Sequence, residues 1–128
     1  MKKIINTKHA PNPVGPYNQS VLAGGMLFVS GQIAIDPETN ELVNGTIEAE
    51  THQVLRNLGA ILKEAGLWYE DVVKCSVFVK DMNDYGRINA VYSEYFNEPN
   101  HAPARELVEV SNLPKFVNVE ISVIALAH

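Results

Sequence analysis

The sequence has little cysteine and no long hydrophobic run. Cys75 is the only cysteine among 128 residues, so an intramolecular disulfide is impossible and a reducing compartment is indicated. No apolar run approaches the length of a transmembrane helix. The two lysines near the N-terminus are followed by Ile4 and Ile5 alone, so an apolar signal-peptide region is absent there. These features predict a cytoplasmic protein.

Positive charge is also scarce. The chain has 10 Lys and Arg against 15 Asp and Glu, giving a net charge of -5, and the basic residues are scattered. Because nucleic-acid affinity rests mainly on neutralising phosphates, a general DNA or RNA binder is not expected. The four histidines lack metal-ligand spacing and have no cysteine pair to join, so no zinc site is expected. No P-loop or dinucleotide glycine fingerprint is present.

The remaining composition is typical of a globular protein, with 46% hydrophobic residues. One domain, residues 1–128, is therefore expected, with a core that needs neither metals nor disulfides. The stretch "VLAGGMLFVSGQIAI" predicts a hairpin that turns at Gly24 and Gly25. The following "DPETNELVNGT" predicts a turn-rich loop.

Apolar spacing predicts two helices. The first has an apolar stripe from Ile47 to Ala65, with Thr46 as its N-cap and Gly66 at its C-terminus. The second is expected to be capped by Asp84. Its stripe consists of Tyr85, Ile88, Tyr92, Tyr95 and Phe96.

Strands are predicted between and after these helices. "VVKCSVFVK" alternates, which predicts that Val73, Cys75, Val77 and Val79 share one face of a strand. Residues 105–110 and 117–126 are expected to be two further strands. Two crossover helices between strands indicate right-handed βαβ units. Two helices cover only one face of such a sheet, so the other face meets solvent or another subunit.

The last two strands carry the strongest functional hypothesis. Paired as an antiparallel hairpin, with their valines together under the helices, they place Arg105 and Glu120 on the uncovered face. The two residues would then lie diagonally across the hairpin, roughly 7–8 Å apart at the backbone.

The pattern of this pair leaves two interpretations open. One is a solvated ion pair on an exposed face, which contributes little to stability. The other is a site in which the Arg105 guanidinium binds a ligand carboxylate and Glu120 holds or activates a water molecule.

Other candidate residues have structural alternatives. Ser30 lacks a nucleophile-elbow pattern and is expected to be a hydrogen-bonding or turn residue. Gly15-Pro16-Tyr17 is a rigid bend that presents a tyrosine, for packing or for chemistry. Asn89 lies on the apolar stripe of the second helix, where a buried amide needs partners. It either bonds the sheet backbone or lines a pocket.

Six segments together resemble the successive motifs of a known family. They are "GPYNQSV", "LFVSGQIAIDP", "VLRNLGAILKEAGL", "VFVKDMNDYGRINAVYSEYF", "PARELVEV" and "NLPKFVNVEISVIA". In this order they resemble the Rid (YjgF-like) family of reactive-intermediate enamine/imine deaminases, close to the RidA subfamily. The resemblance runs nearly end to end, and no single segment carries it alone.

The resemblance implies a fold and an activity. The fold would be α+β and chorismate-mutase-like: a mixed sheet with two helices on one face, in a homotrimer with a central barrel and inter-subunit sites. The activity would be hydrolytic deamination of 2-iminobutanoate, 2-iminopropanoate and enamine tautomers such as 2-aminoacrylate. The products would be 2-keto acids and ammonia. No cofactor, metal, nucleic acid or membrane is implied.

The resemblance also implies residue roles. Arg105 would bind the substrate carboxylate, and Glu120 would position the attacking water. The backbone at Leu107 would bond the imine nitrogen region. The residues that would line the cleft, some from a neighbouring subunit, are Tyr17, Ser30, Gly31 and Asn89.

Several positions depart from the family's common pattern. Glu106 and Leu107 stand where a small polar residue and a cysteine are usual, and Ala34 and Ser122 replace a proline and a second glutamate. The departures keep open a non-catalytic regulatory trimer that binds keto acids or other small carboxylates. The presence of both Arg105 and Glu120 favours the enzyme. An endoribonuclease or translation inhibitor is disfavoured by the net charge and by the lack of a paired acid–base histidine set.

Overall fold

A mixed β-sheet with two helices on one face forms the body of the protein. The computed structural model describes residues 1–128. The strands are β1 Lys3–Ile5, β2 Ser20–Ala23, β3 Met26–Gln32, β4 Ile35–Asp36, β5 Glu41–Leu42, β6 Val72–Val79, β7 Ala104–Glu109 and β8 Val119–Leu126. The helices are α1 Ile47–Glu64 and α2 Tyr85–Tyr95. Neither is long and apolar enough to cross a membrane.

Six of the strands form the main sheet, in the order β1-β2-β3-β8-β6-β7. β6 and β7 run parallel, and every other neighbouring pair is antiparallel. β4 and β5 pair separately as a short ribbon within the predicted turn-rich loop. The prediction of an α+β protein with a mixed sheet and two helices is confirmed.

The predicted turn and helix signals act at the expected places. Gly24 and Gly25 have φ values of 58° and 76°, a conformation that glycine adopts at little cost, and they join β2 to β3. The Thr46 side chain accepts a hydrogen bond from the Ala49 amide at 3.0 Å and caps α1. Gly66, with φ 76°, follows the end of the same helix.

Two details of the predicted elements are wrong. Val73 is 42% exposed instead of sharing the buried face of β6, because the pairing with β8 shifts register between Val72 and Lys74. Asp84 precedes α2, yet its side chain makes no capping hydrogen bond. The capping side chain here is Asp81, which accepts from the Asn83 amide ahead of a short 3₁₀ turn.

The core fills the space between the helices and one face of the sheet. A single cluster of 25 buried residues joins α1, α2 and the inward side chains of the strands. Leu55 and Leu62 of α1, Ile88 of α2 and Ile121 of β8 are fully buried in it. Burial of this apolar stripe is what holds both helices on the same side of the sheet.

The predicted hairpin of the last two strands is wrong, and the error moves Arg105. β6 lies between β7 and β8, so Arg105 pairs with Cys75 while Glu120 pairs with Phe78. Cys75 is buried under the helices, whereas Phe78 belongs to the opposite set of side chains. Arg105 and Glu120 therefore lie on opposite faces.

The opposite face of the sheet, called the uncovered face from here on, has no element packed over it. Paired positions across neighbouring strands place side chains on the same side, and four such rows define this face. Its large apolar members are Ile4, Val21, Met26, Phe28, Phe78, Val108, Ile124 and Leu126. Ile4, Phe28 and Val108 are each more than 40% exposed.

Candidate functional site

A cavity of about 390 Å³ lies where β3, β8 and the N-terminal loop meet. It brings together four of the predicted site residues: Tyr17, Ser30, Gly31 and Glu120. The other wall residues come from the N-terminal loop, the segment after β3 and Pro114. We call this cavity the glutamate pocket.

Glu120 is the one acidic group in the glutamate pocket and has no partner within the chain. Its half-buried carboxylate makes no hydrogen bond or ion pair, and burial raises the pKa of this carboxyl above its ordinary value. Gly31 makes room for it, since a Cβ at Gly31 would lie 2.8 Å from Cδ of Glu120 and collide with its Oε2. A carboxylate without donors, lodged against glycine, is available to a water molecule or a ligand.

The wall formed by the N-terminal loop is held by Gln19. Its Oε1 accepts from the Thr7 amide at 2.6 Å, and its Nε2 donates to the carbonyl oxygens of Ala10 and Pro11 at 3.2 and 2.8 Å. The side chain is 2% exposed. Sequence reasoning missed this role; the only signal was a glutamine directly before an apolar strand.

The wall after β3 is held in the same way by α1. Asn57 donates through Nδ2 to the carbonyl oxygens of Ile33 and Ile35 at 3.1 and 2.9 Å. Gln53 donates to Oδ1 of Asn57 and completes the network. The signal available in the sequence was a pair of amides, four residues apart, on the buried side of a predicted helix.

Ser30 and Tyr17 are turned toward internal partners. The Ser30 hydroxyl donates to the Asn18 carbonyl at 2.6 Å, which agrees with the predicted hydrogen-bonding role and leaves no base in contact with it. The Tyr17 hydroxyl accepts from the Val14 amide at 3.3 Å, while its ring lines the pocket and is 46% exposed.

Arg105 lies in a second group of residues, on the helix-covered side of the edge strand β7. Its Nη1 donates to Oδ1 of Asn89 at 2.7 Å, and its Nη2 donates more weakly to the Tyr85 hydroxyl at 3.4 Å. The Tyr92 ring lies 4.7 Å from the guanidinium carbon, within cation–π range. We call these four residues the arginine cluster.

No carboxylate approaches the arginine cluster closely. Arg105 is partly buried and forms no ion pair, although the chain has more acidic than basic residues. Asn89 makes no hydrogen bond to the sheet backbone, and its Oδ1 orients the guanidinium. A held, uncompensated guanidinium on the surface is suited to a bidentate anion such as a carboxylate.

Two buried groups lie behind the guanidinium. Burial raises the pKa of the Cys75 thiol to about 11, so this core cysteine holds little of the reactive thiolate at neutral pH. The Tyr92 hydroxyl is the one buried side-chain polar atom that has no hydrogen-bond partner. The contacts of Tyr92 are made by its ring, which lies against the Arg105 guanidinium and packs in the core.

The residues that follow Arg105 point in alternate directions. Leu107 pairs with Val77 and packs against the core on the same side as Arg105. Glu106 lies on the uncovered face, where Lys74 binds its carboxylate at 2.8 Å and Ser76 donates to it. These contacts, Lys74 first, lower the pKa of Glu106.

The histidines belong to neither group. His52 bonds the Tyr95 hydroxyl at 2.8 Å and links α1 to α2. No three His, Cys, Asp or Glu side chains come together in a way that could hold a metal ion.

Comparisons with known proteins give a consistent result. The sequence model of a family described as endoribonuclease L-PSP matches residues 7–127. A RutC family protein of Synechocystis sp. is 55% identical over 125 residues, which are 97% of this chain and 95% of that protein. The 2-iminobutanoate/2-iminopropanoate deaminase of Escherichia coli K12 is 47% identical over 127 residues, covering 98% of each chain.

A solved structure of a related protein has a closely similar fold. The crystal structure of YyfA, a protein of the conserved Rid family from Yersinia pestis, superposes with a TM-score of 0.95 at 44% identity. The match covers 99% of this chain and 100% of that one.

Proposed function

This chain belongs to the Rid family, whose sequence model is described as endoribonuclease L-PSP, and on that premise we propose that it is a hydrolase of reactive 2-imino acids. Its substrates would be 2-iminobutanoate, 2-iminopropanoate and the enamines that tautomerise to them, such as 2-aminoacrylate. A similar protein from Escherichia coli carries the name of this activity. The products would be a 2-keto acid and ammonia.

The observation that carries the proposal is a pair of opposite charges without partners. The Arg105 guanidinium is oriented by Asn89 and has no carboxylate near it. The Glu120 carboxylate is half-buried and has neither a donor nor a cation near it. Isolated charges of this kind are costly in a folded protein unless a ligand uses them. A 2-imino acid offers a carboxylate to the first and an electrophilic carbon to the second.

The chemistry requires positioning more than activation. Water adds to the carbon of the protonated imine while Glu120 accepts a proton from it, and that proton then passes to the nitrogen. The C–N bond then breaks with its electron pair on nitrogen, the hydroxyl proton of the addition product passes to the departing ammonia to give ammonium, and the former water oxygen becomes the keto oxygen. A carboxyl with a raised pKa is a better proton acceptor than an ordinary glutamate. The backbone at Leu107 would bond the nitrogen region.

Both charges meet one substrate only if two copies of the chain share a site. The glutamate pocket and the arginine cluster face opposite sides of the sheet, with β6 between their strands. We propose a homotrimer in which the uncovered faces form a central barrel, and the glutamate pocket of one subunit adjoins the arginine cluster of the next. Exposed apolar residues such as Phe28, Val108 and Ile4 support this, since such a face is a typical interface.

The proposed compartment is the cytoplasm, which suits a chain with a free buried thiol. The alternative function is a regulatory trimer that binds keto acids without turnover. The observation that favours it is Leu107 in place of the usual cysteine. Leu107 pairs with Val77 and lies on the same face of β7 as Arg105, so the exchange changes the surroundings of the guanidinium. Such a protein would need Arg105 but not Glu120.

A coupled deamination assay tests the proposal. A serine or threonine dehydratase generates the imine, and keto-acid release is followed in the presence of a trapping agent, with and without this protein. We expect acceleration that Arg105→Ala and Glu120→Gln each abolish. Lys115→Ala, on the exposed turn before β8, is the matched control for removing a positive charge and should change nothing.

Binding measurements separate the two functions. If the wild type gives no acceleration yet binds 2-oxobutanoate, and Arg105→Ala alone removes that binding, the regulatory function replaces the enzyme. If neither activity nor binding depends on Arg105, both are wrong.

A further inference from the structure

We infer that the glutamate pocket selects 2-imino acids with branched or aromatic apolar side chains over those derived from alanine or serine. The inference rests on the proposed function, because it assigns the pocket to the substrate side chain. It depends mainly on apolar residues to which the resemblance assigns no role, such as Val14, Ile33 and Ile35.

The first step is the chemistry of the pocket lining. Val14, Ile33 and Ile35 contribute aliphatic surface, and Pro11, Pro13 and Pro114 contribute ring faces. The Tyr17 ring adds an aromatic edge at the mouth. A ligand group that fills this space meets carbon atoms on most sides.

The second step is the state of the polar side chains in the same lining. The Gln19 amide nitrogen donates to carbonyl oxygens of the N-terminal loop. The Ser30 hydroxyl donates to the Asn18 carbonyl, and the Gln32 amide nitrogen donates to the Ser30 carbonyl. These bonds occupy the Gln19 amide and the Ser30 hydroxyl, whereas Oε1 of Gln32 and the exposed Asn12 side chain make no hydrogen bond within the chain. The Glu120 carboxylate also has no partner in the pocket, but the proposed reaction uses it to position water. A polar side chain entering the pocket would find few free partners in this lining to replace the water that it loses.

The third step is size and rigidity. A cavity of about 390 Å³ is far larger than the methyl group of an alanine-derived imine requires. Its walls do not close easily, because Asn57 fixes the carbonyl oxygens of Ile33 and Ile35 while Gln19 fixes those of Ala10 and Pro11. A small substrate thus leaves preformed apolar surface uncovered, and a larger one buries it.

The test compares imines of graded size in one assay. An amino-acid oxidase with catalase generates imines from alanine, leucine, phenylalanine and asparagine. Semicarbazide traps them, and the protein concentration that halves trapping is measured. We expect the leucine- and phenylalanine-derived imines to need about tenfold less protein than the alanine-derived one. Asparagine, close in shape to leucine but polar, should behave like alanine or worse.

A pair of variants assigns the preference to the pocket. Val14 is 59% exposed on the N-terminal loop, so Val14→Phe should fold normally while filling the cavity. It should reduce the ratio of leucine- to alanine-derived turnover. Val73→Phe, at a 42% exposed valine outside the pocket, should leave the ratio unchanged.

The outcomes separate the two proposals. Acceleration of every imine without a preference, or with a preference for the smallest, overturns the selectivity and leaves the deaminase standing. Acceleration of none overturns the deaminase and the selectivity together. A preference that Val14→Phe fails to alter also overturns the assignment to this pocket.

Discussion

At the scale of single residues, the contrast between satisfied and unsatisfied polar groups separates scaffold from site. Gln19 is buried and fully bonded to the loop that it holds. Glu120 and Arg105 are partly buried and have no oppositely charged partner. Gly31 leaves space for the Glu120 carboxylate, and Asn89 orients the Arg105 guanidinium. Burying a group without a partner lowers stability, so a function is the economical explanation for these two.

The position of the Glu120 carboxylate depends on the absence of a side chain at Gly31. In Gly31→Ala the new methyl group would occupy the space of the carboxylate and push it aside. Because the displaced atoms end a flexible side chain, we expect stability to change little and kcat in the imine assay to fall by about tenfold or more. The control is Gly45→Ala, where a Cβ meets nothing within 4 Å. Full activity of Gly31→Ala would show that this position of the carboxylate is unnecessary.

The raised pKa of Glu120 gives a stability prediction with a defined sign. The folded chain holds this proton more tightly than the unfolded chain, so the stabilisation is complete below the ordinary pKa of 4.5 and is lost as pH rises through the higher folded value. Glu120→Gln should therefore have a larger free energy of unfolding than the wild type at about pH 8, and an equal one at about pH 3.5. Urea denaturation at both pH values measures this. A less stable glutamine variant at the higher pH would mean that the carboxylate has a stabilising partner.

At the scale of elements, α1 holds the walls of the glutamate pocket without lining it. Its buried polar residues bond the segments that carry the pocket walls: Asn57 holds Ile33 and Ile35, and Glu50 holds the start of β8. The apolar stripe of the same helix was readable from spacing because burial follows the helical period. The targets of its polar residues were not, since they lie far away in sequence.

Glu50 offers the clearest test of this role. Its fully buried carboxylate accepts from the backbone amides of Asn118 and Val119 at 2.7 and 3.1 Å, directly before Glu120. Glu50→Ala leaves these donors unpaired, and we expect a loss of about 2–4 kcal/mol in the free energy of unfolding, together with lower imine turnover. Glu48→Ala, in the same turn, removes a 44% exposed carboxylate that pairs with Arg87 on the surface, and it should have a small effect, measured by the same urea titration. Equal losses in the two variants would contradict the positioning role.

At the scale of the whole molecule, the split of the charges between two faces is the central fact. No single chain presents Arg105 and Glu120 to one small molecule, because the sheet separates them. In the assembly that we propose, a second copy of the chain would both cover the apolar uncovered face and complete the two groups of residues.

Subunit complementation checks this arrangement. Arg105→Ala and Glu120→Gln chains should each be inactive alone. When they are unfolded together and refolded as a mixture, about one quarter of the interfaces would combine an intact Arg105 with an intact Glu120. We expect a corresponding return of imine turnover, measured against each variant refolded separately.

The opposite result is equally informative. If mixed assemblies stay inactive while the wild type regains activity through the same procedure, the two residues act within one chain. Sedimentation of the wild type as a monomer would also exclude the shared site.

The sequence by itself determined the two helices, most of the strands, the cap at Thr46 and the candidate residues. Turn glycines, the cap at Thr46 and the apolar stripes act over short distances, so their pattern in the chain is their pattern in space. Only the tertiary structure decided which strands are neighbours. The insertion of β6 between β7 and β8 is a long-range choice, made by packing of the whole sheet under two helices. Both faces of β7 carry apolar residues, so the sequence alone allows either Leu107 or Val108 to face the core. In the structure Leu107 packs against the core, and Arg105, on the same face of β7, therefore lies on the side opposite Glu120.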